Sequence, residues 1–177
     1  MTDILDWLAE ARRAALGALC LRSRCGAALV RGGEILARGH NGPPRDDLSL
    51  RVCDTIQPSI GKPKSDRTCC LHAEWRALLE ALSTRPDAVE GSTMVFCRVD
   101  AQGGLLASGN PYCTVCSRLT LDRGVRSWVL WHEGGPVEYD AREYHVLSER
   151  YDLNPFAASR RPGPALPAAA WRQGGGS

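Results

Sequence analysis

Four side chains in this sequence could do metal chemistry together. His72 and Glu74 lie in Leu71-His72-Ala73-Glu74-Trp75-Arg76-Ala77-Leu78-Leu79, and Cys113 and Cys116 in Asn110-Pro111-Tyr112-Cys113-Thr114-Val115-Cys116. One imidazole and two thiols fill three corners of a tetrahedron around zinc, a borderline-soft ion, and leave the fourth for water. Glu74 is then a carboxylate that is not needed as a ligand and is free to move a proton. His-x-Glu alone is common, and an isolated Cys-x-x-Cys is as often a redox pair or half of a structural zinc site. Together, each at the start of a helical pattern, they point to a catalytic zinc held by His72, Cys113 and Cys116.

The spacing restricts where such a site can lie. At ~100° per residue, positions 72 and 74 of a regular helix stand about 200° apart and point away from each other. They converge only at the helix N-terminus, where first-turn residues gather around the end of the axis. The positive end of the macrodipole favours an anion there.

His72-Ala73-Glu74 followed by Cys113-x-x-Cys116 resembles the zinc-dependent nucleobase deaminases, whose signature is His-x-Glu followed by Pro-Cys-x-x-Cys. Cys25-Gly26-Ala27-Ala28-Leu29-Val30, the turn at Gly32-Gly33, and the run from Ile35 to Arg45 resemble the first hairpin of the deoxycytidylate deaminase branch. In that branch a Gly-Tyr-Asn-Gly-x-Pro segment ends the second strand. The likeness runs roughly from Cys20 to Tyr151, with a gap between Asp46 and Thr68.

The resemblance implies a zinc-dependent hydrolase that converts a cytosine nucleotide or nucleoside, deoxycytidylate-like, to the uracil form with release of ammonia. Glu74 is its catalytic residue and Zn2+ its cofactor. The resemblance also implies that the Asn41 amide contacts the sugar of the substrate, although Asn-Gly is a turn signal on its own. His40, where these enzymes often have tyrosine, flanks the base or only fills space. Ala73 and Tyr112 join the candidate substrate contacts. Arg45 and Arg67 sit where an incoming phosphate would be met, and a planar guanidinium fork suits a phosphate dianion. A homo-oligomer is implied as well, since such domains commonly complete their pockets at subunit contacts.

One departure stands out: Tyr112 is inserted between Pro111 and Cys113. The altered loop bears on substrate identity and not on metal binding. A deaminase of single-stranded nucleic acid or tRNA is the alternative, and it needs a basic channel and aromatic platforms for the flipped base. Another free nucleobase or a secondary-metabolite base is a further one. A binding module built on a structural zinc would have no use for Glu74.

Composition narrows the choice. The 177 residues are 44% hydrophobic and 24% charged, the balance of a globular domain with a real core. Net charge is +2, and Arg160, Arg161 and Arg172 face no acid among residues 153–177. The rest of the chain is close to neutral, which disfavours nucleic acid as a partner. There is no run of apolar residues long enough for a membrane span. Asp3, Asp6 and Glu10 do not make the basic start of a secretory leader, so the expected compartment is cytoplasmic.

Of the cysteines outside the candidate site, Cys20, Cys25 and Cys97 fall in helix and strand patterns and read as small buried hydrophobes. Cys53, Cys69 and Cys70 either hold a second, structural zinc, as the resemblance allows, or are inert thiols. Trp128 and Trp131, three apart on one strand, face opposite sides and read as core or as stacking platforms. Trp75 reads as a pocket wall or as core.

The elements that must position these residues follow from periodicity and turn signals. Helices are predicted over residues 4–21, 72–83, 113–123 and 141–150, with Gly124 ending the third. Strands are predicted over 27–31, 34–40, 93–99 and 125–131, with a hairpin-like excursion over 100–109 and a long loop over 45–68. Strands alternating with helices after an opening hairpin give an α/β fold. The expectation is a three-layer α/β/α sandwich, its mixed sheet of about five strands, cytidine deaminase-like by resemblance. The domain is expected over 1–153, and 154–177, rich in proline, alanine and glycine, as a flexible tail.

Overall fold

The computed structural model describes residues 3–52 and 69–150. Cys53, Arg67, most of the 45–68 loop and the 154–177 tail lie outside the described residues. Helix α1 spans Ile4–Leu16, with Asp3 as N-cap and Asp6 completing a reciprocal capping box. The apolar period continues to residue 21, yet the helix ends at Gly17. The reason is tertiary: the Leu19 N–H donates to the Asn41 carbonyl at 3.0 Å. A helical partner four residues back is thereby forgone.

Strands β1 (Arg24–Arg31) and β2 (Glu34–His40) form the expected hairpin, and β1 starts three residues earlier than its pattern. Gly32 and Gly33 turn it with φ of 59° and 86°. Both residues of such a two-residue turn need positive φ, which glycine adopts without strain. The remaining elements are α2 (Ala73–Thr84), β3 (Thr93–Val99), β4 (Leu105–Leu106), α3 (Thr114–Asp122), β5 (Ser127–His132), β6 (Gly135–Asp140) and α4 (Ala141–Glu149).

The sheet order is β2-β1-β3-β5-β6, with β4 added to β3. β3 and β5 are parallel, and every other described pair is antiparallel. The sixth strand was not visible in the sequence because Pro136 interrupts its pattern. It is tolerated there because β6 lies at the sheet edge, where a missing N–H need not break a ladder.

Side chains alternate across the sheet as strand geometry requires. Ala28, Val30, Val95, Cys97 and Val129 pack with Leu8, Ala11 and Ala15 of α1. Ala27, Leu29, Met94, Trp128 and Leu130 pack on the other face, with Ala77 and Leu78 of α2, Cys116 of α3 and Tyr144 of α4. This is the three-layer α/β/α sandwich with a mixed sheet. Trp128 and Trp131 do face opposite layers, Trp128 within one core and Trp131 against the other. None of the described helices is long and apolar enough to cross a membrane.

Candidate metal centre and active site

Two helix starts meet on the three-helix side of the sheet. His72 is the N-cap of α2, in extended backbone (φ −71°, ψ 149°), and its imidazole makes no capping bond. Because His72 lies just off the helix, the two-residue step to Glu74 does not turn them apart. Glu74, in the first turn, is 5% exposed. Gly39 of β2 lets this turn approach the sheet: a β-carbon at Gly39 would collide with the Ala73 carbonyl and the Ala77 nitrogen.

Cys113 is the N-cap of α3, and its sulfur accepts the Cys116 N–H at 3.2 Å. His72 Nδ1 lies 3.2 Å from Cys116 Sγ and 3.4 Å from Cys113 Sγ. All three ligand atoms fall within 4.8 Å of one another, the one such group among the described residues. Trp75, in the first turn of α2, stacks on the His72 ring at 4.9 Å and 15°. It is thus a wall of the site as well as a neighbour of the core.

The electrostatics suit a cation. The Cys116 thiol, as donor, and His72 together bring the Cys113 thiol down to about 5 against the effect of its burial. The hydrogen bond to Cys113 raises the His72 imidazole above its ordinary value. Burial pushes Cys116 well up, with the hydrogen bond to Cys113 and the Glu74 charge adding to it. Burial likewise raises the Glu74 carboxyl. A thiolate, a neighbouring thiol and an imidazole nitrogen, gathered at two positive helix ends, form a donor set that fits zinc.

The candidate substrate contacts divide into groups. Asn41 is 8% exposed; its Oδ1 accepts the Cys25 N–H at 2.9 Å and its Nδ2 donates to the Ser23 carbonyl at 2.8 Å. It therefore braces the start of β1. It also stands beside the centre, because Gly42 and Leu71 form a two-bond bridge one residue along from Asn41 and His72. Ala73 is fully buried under the first turn of α2.

His40 and Arg45 line a groove of about 610 Å³ between β2 and α2, together with Arg38, Leu71 and Arg76. None of His72, Glu74, Cys113 or Cys116 lines it. Arg45 and Asp46 both have positive φ, 56° and 59°. This uncommon pair is held from α2: Arg76 reaches Asp46 Oδ1 at 2.7 Å and donates to the Pro43 carbonyl at 2.6 Å. His40 Nε2 lies 3.2 Å from the same Asp46 oxygen.

Tyr112 is 52% exposed, so its ring turns outward. Tyr144 of α4 is 4% exposed and stacks on Trp128, with 4.1 Å between ring centres. Sequence reading did not single out Tyr144, although Ala141, Tyr144 and Ser148 mark the buried face of α4. Of the ambiguous thiols, Cys69 and Cys70 lie 3.8 Å apart.

Comparison with known proteins gives this arrangement a family. A deoxycytidylate deaminase of Schizosaccharomyces pombe is 37% identical over 81 residues, 44% of this chain. That match spans only 24% of the relative's length. Among solved structures, the cytidine deaminase of Burkholderia pseudomallei shares the fold at a TM-score of 0.53 and 20% identity, over 80% of this chain and 95% of that one. The dCMP deaminase of the cyanophage S-TIM5 aligns at 22% identity and a TM-score of 0.46, over 69% of this chain and 76% of that one. Residues 1–131, which include both halves of the centre, match the family described as the cytidine and deoxycytidylate deaminase zinc-binding region, and the chain belongs to that family.

Proposed function

We propose that this protein is a zinc-dependent hydrolytic deaminase of a cytosine nucleotide or nucleoside, deoxycytidylate-like, releasing ammonia and the uracil form. The observation that carries the reading is Glu74: a buried carboxylate beside three metal-type donors and not itself one of them. The S. pombe relative, a deoxycytidylate deaminase, supports the nucleotide as substrate class.

His72, Cys113 and Cys116 are the residues that would hold the metal. Zinc, when bound, supplies a Lewis acid that makes water a usable nucleophile near neutral pH. Glu74 takes the proton that the attacking water loses and returns protons to the ring nitrogen and the departing amine. Burial raises its carboxyl above the ordinary carboxylate range, the direction that suits a group that must give a proton back as well as take one. Trp75 and the Cys113 cap keep imidazole and thiolate oriented while this happens. Asn41 keeps one amide hydrogen beyond its bond to Ser23, and in this reading it meets the sugar. Arg45 and His40 line the groove between β2 and α2; in this reading Arg45 meets the phosphate and His40 flanks the base.

The test is ammonia release by the zinc-loaded protein with deoxycytidylate, cytidylate, deoxycytidine, cytidine, cytosine and a cytosine-rich single-stranded oligonucleotide. Turnover of a monomeric cytosine substrate is expected. Glu74→Ala should lose at least about a hundredfold in kcat, the lower end for a general acid–base group, with zinc content unchanged. Turnover of the oligonucleotide alone would replace this reading with the nucleic-acid one. Full activity in Glu74→Ala would remove the residue from the mechanism.

A further inference from the structure

Both candidate thiols belong to the start of α3, and one residue, Ser117, ties that start together. The Ser117 N–H donates to the Cys113 carbonyl at 3.0 Å, and its hydroxyl lies 3.0 Å from the Thr114 carbonyl. Ser117 is fully buried, and its oxygen is also where α3 meets α4: His145 Nδ1 and Ser148 Oγ each lie 3.0 Å from it. A second anchor comes from the sheet. Thr120 donates its hydroxyl to the Cys116 carbonyl at 2.9 Å and accepts the Trp128 Nε1–H of β5 at 3.2 Å.

Counting hydrogens gives the bonds at Ser117 a direction. Each hydroxyl carries one hydrogen, and a carbonyl oxygen can only accept. The Ser148 hydrogen goes to the His145 carbonyl at 2.7 Å. The Ser117 hydrogen serves the Thr114 carbonyl or the Ser148 oxygen. No hydroxyl hydrogen is then left for the imidazole, so the ring makes the contact, Nδ1–H donating to Ser117 Oγ.

We propose that His145 is a positioning residue for the metal centre: its Nδ1–H holds Ser117 Oγ and so docks on α4 the turn that presents Cys113 and Cys116. The proposal rests on the zinc reading of those two thiols and His72. Helix ends fray, and this one carries both sulfurs. Tied to α4 through Ser117 and to β5 through Thr120, it keeps their spacing.

The test uses the full chain loaded with zinc. Long-range proton–nitrogen NMR spectra should show the neutral His145 ring with its hydrogen on Nδ1. Transfer of zinc to a chromophoric chelator is followed well below the melting temperature. In His145→Gln the amide falls at the place of Nε2 and the Nδ1 donor is gone. This variant should release zinc roughly 10-fold faster, the low end for loss of a group that orients a metal ligand. His145→Asn puts an amide nitrogen near the place of Nδ1 and should restore release close to the wild-type rate. Ser117→Ala should be at least as fast as His145→Gln, and adding His145→Gln to it should bring no further gain, because the two share one interaction. Leu8→Ala, a packing lesion in the layer of α1, should lower the melting temperature and leave release unchanged.

A neutral ring with its hydrogen on Nε2, wild-type release from His145→Gln, or release from Leu8→Ala as fast as from His145→Gln would each overturn the proposal. A wild-type chain that binds no zinc would overturn the zinc reading, and this proposal with it. Zinc that behaves as expected in a protein inactive on every cytosine substrate would leave the positioning role standing and refute only the choice of substrate.

Discussion

Residue by residue, the candidate metal donors were legible in the sequence and their surroundings were not. His72, Cys113 and Cys116 stand out because few uses bring an imidazole and two thiols to helix starts, and Glu74 because it is one carboxylate more than the metal needs. Tyr144 is silent in one dimension: its stacking on Trp128 belongs to the tertiary fold. Asn41 shows the opposite case, a residue whose motif suggests a ligand contact and whose amide is already employed in the chain. Removing it leaves the Cys25 N–H and the Ser23 carbonyl without their partner. Asn41→Ala should therefore lower the unfolding free energy by about 2 kcal/mol, within the ~1–3 kcal/mol that a stranded buried polar group costs. Urea unfolding checks this. A raised KM with an unchanged unfolding midpoint would show that Asn41 serves substrate alone.

At the level of elements, periodicity placed four helices and most of the sheet, and misjudged the places where tertiary bonds set the end. Helix α1 stops at Leu16 because the next turn's donor is claimed by Asn41, and no local propensity records that claim. Strand β6 was missed because a proline reads as a breaker until the strand is known to be an edge. The contact of α2 with β2 is another matter of elements, since its closeness is decided by a missing side chain at Gly39. Gly39→Ala should push the first turn of α2 off the sheet, costing ~1–3 kcal/mol as overpacking does, and weaken zinc binding in the same variant. Gly134→Ala, at a position where an added β-carbon meets open space, should change neither. Equal stability and zinc affinity in both variants would show that the helix start is not fixed by this contact.

For the molecule as a whole, the sandwich was readable from the alternation of strands and helices, while the way its two halves share the metal centre was not. His72 comes from the chain before β3, and both thiols come from the connection between β3 and β5, the one parallel pair among the described strands. Antiparallel neighbours close through short turns, but parallel strands must wait for a long crossover to fold back. Such non-local pairings are slow to form. The order of assembly in time follows: the crossover closes first, and only then do the imidazole and the thiols meet. Zinc is captured late in refolding, as a seal on a finished sheet and not as a seed for it. In a stopped-flow experiment, metal uptake should come no sooner than the fluorescence change as Trp128 is buried beside Met94. Uptake that precedes it would mean that the ligands gather before the sheet exists.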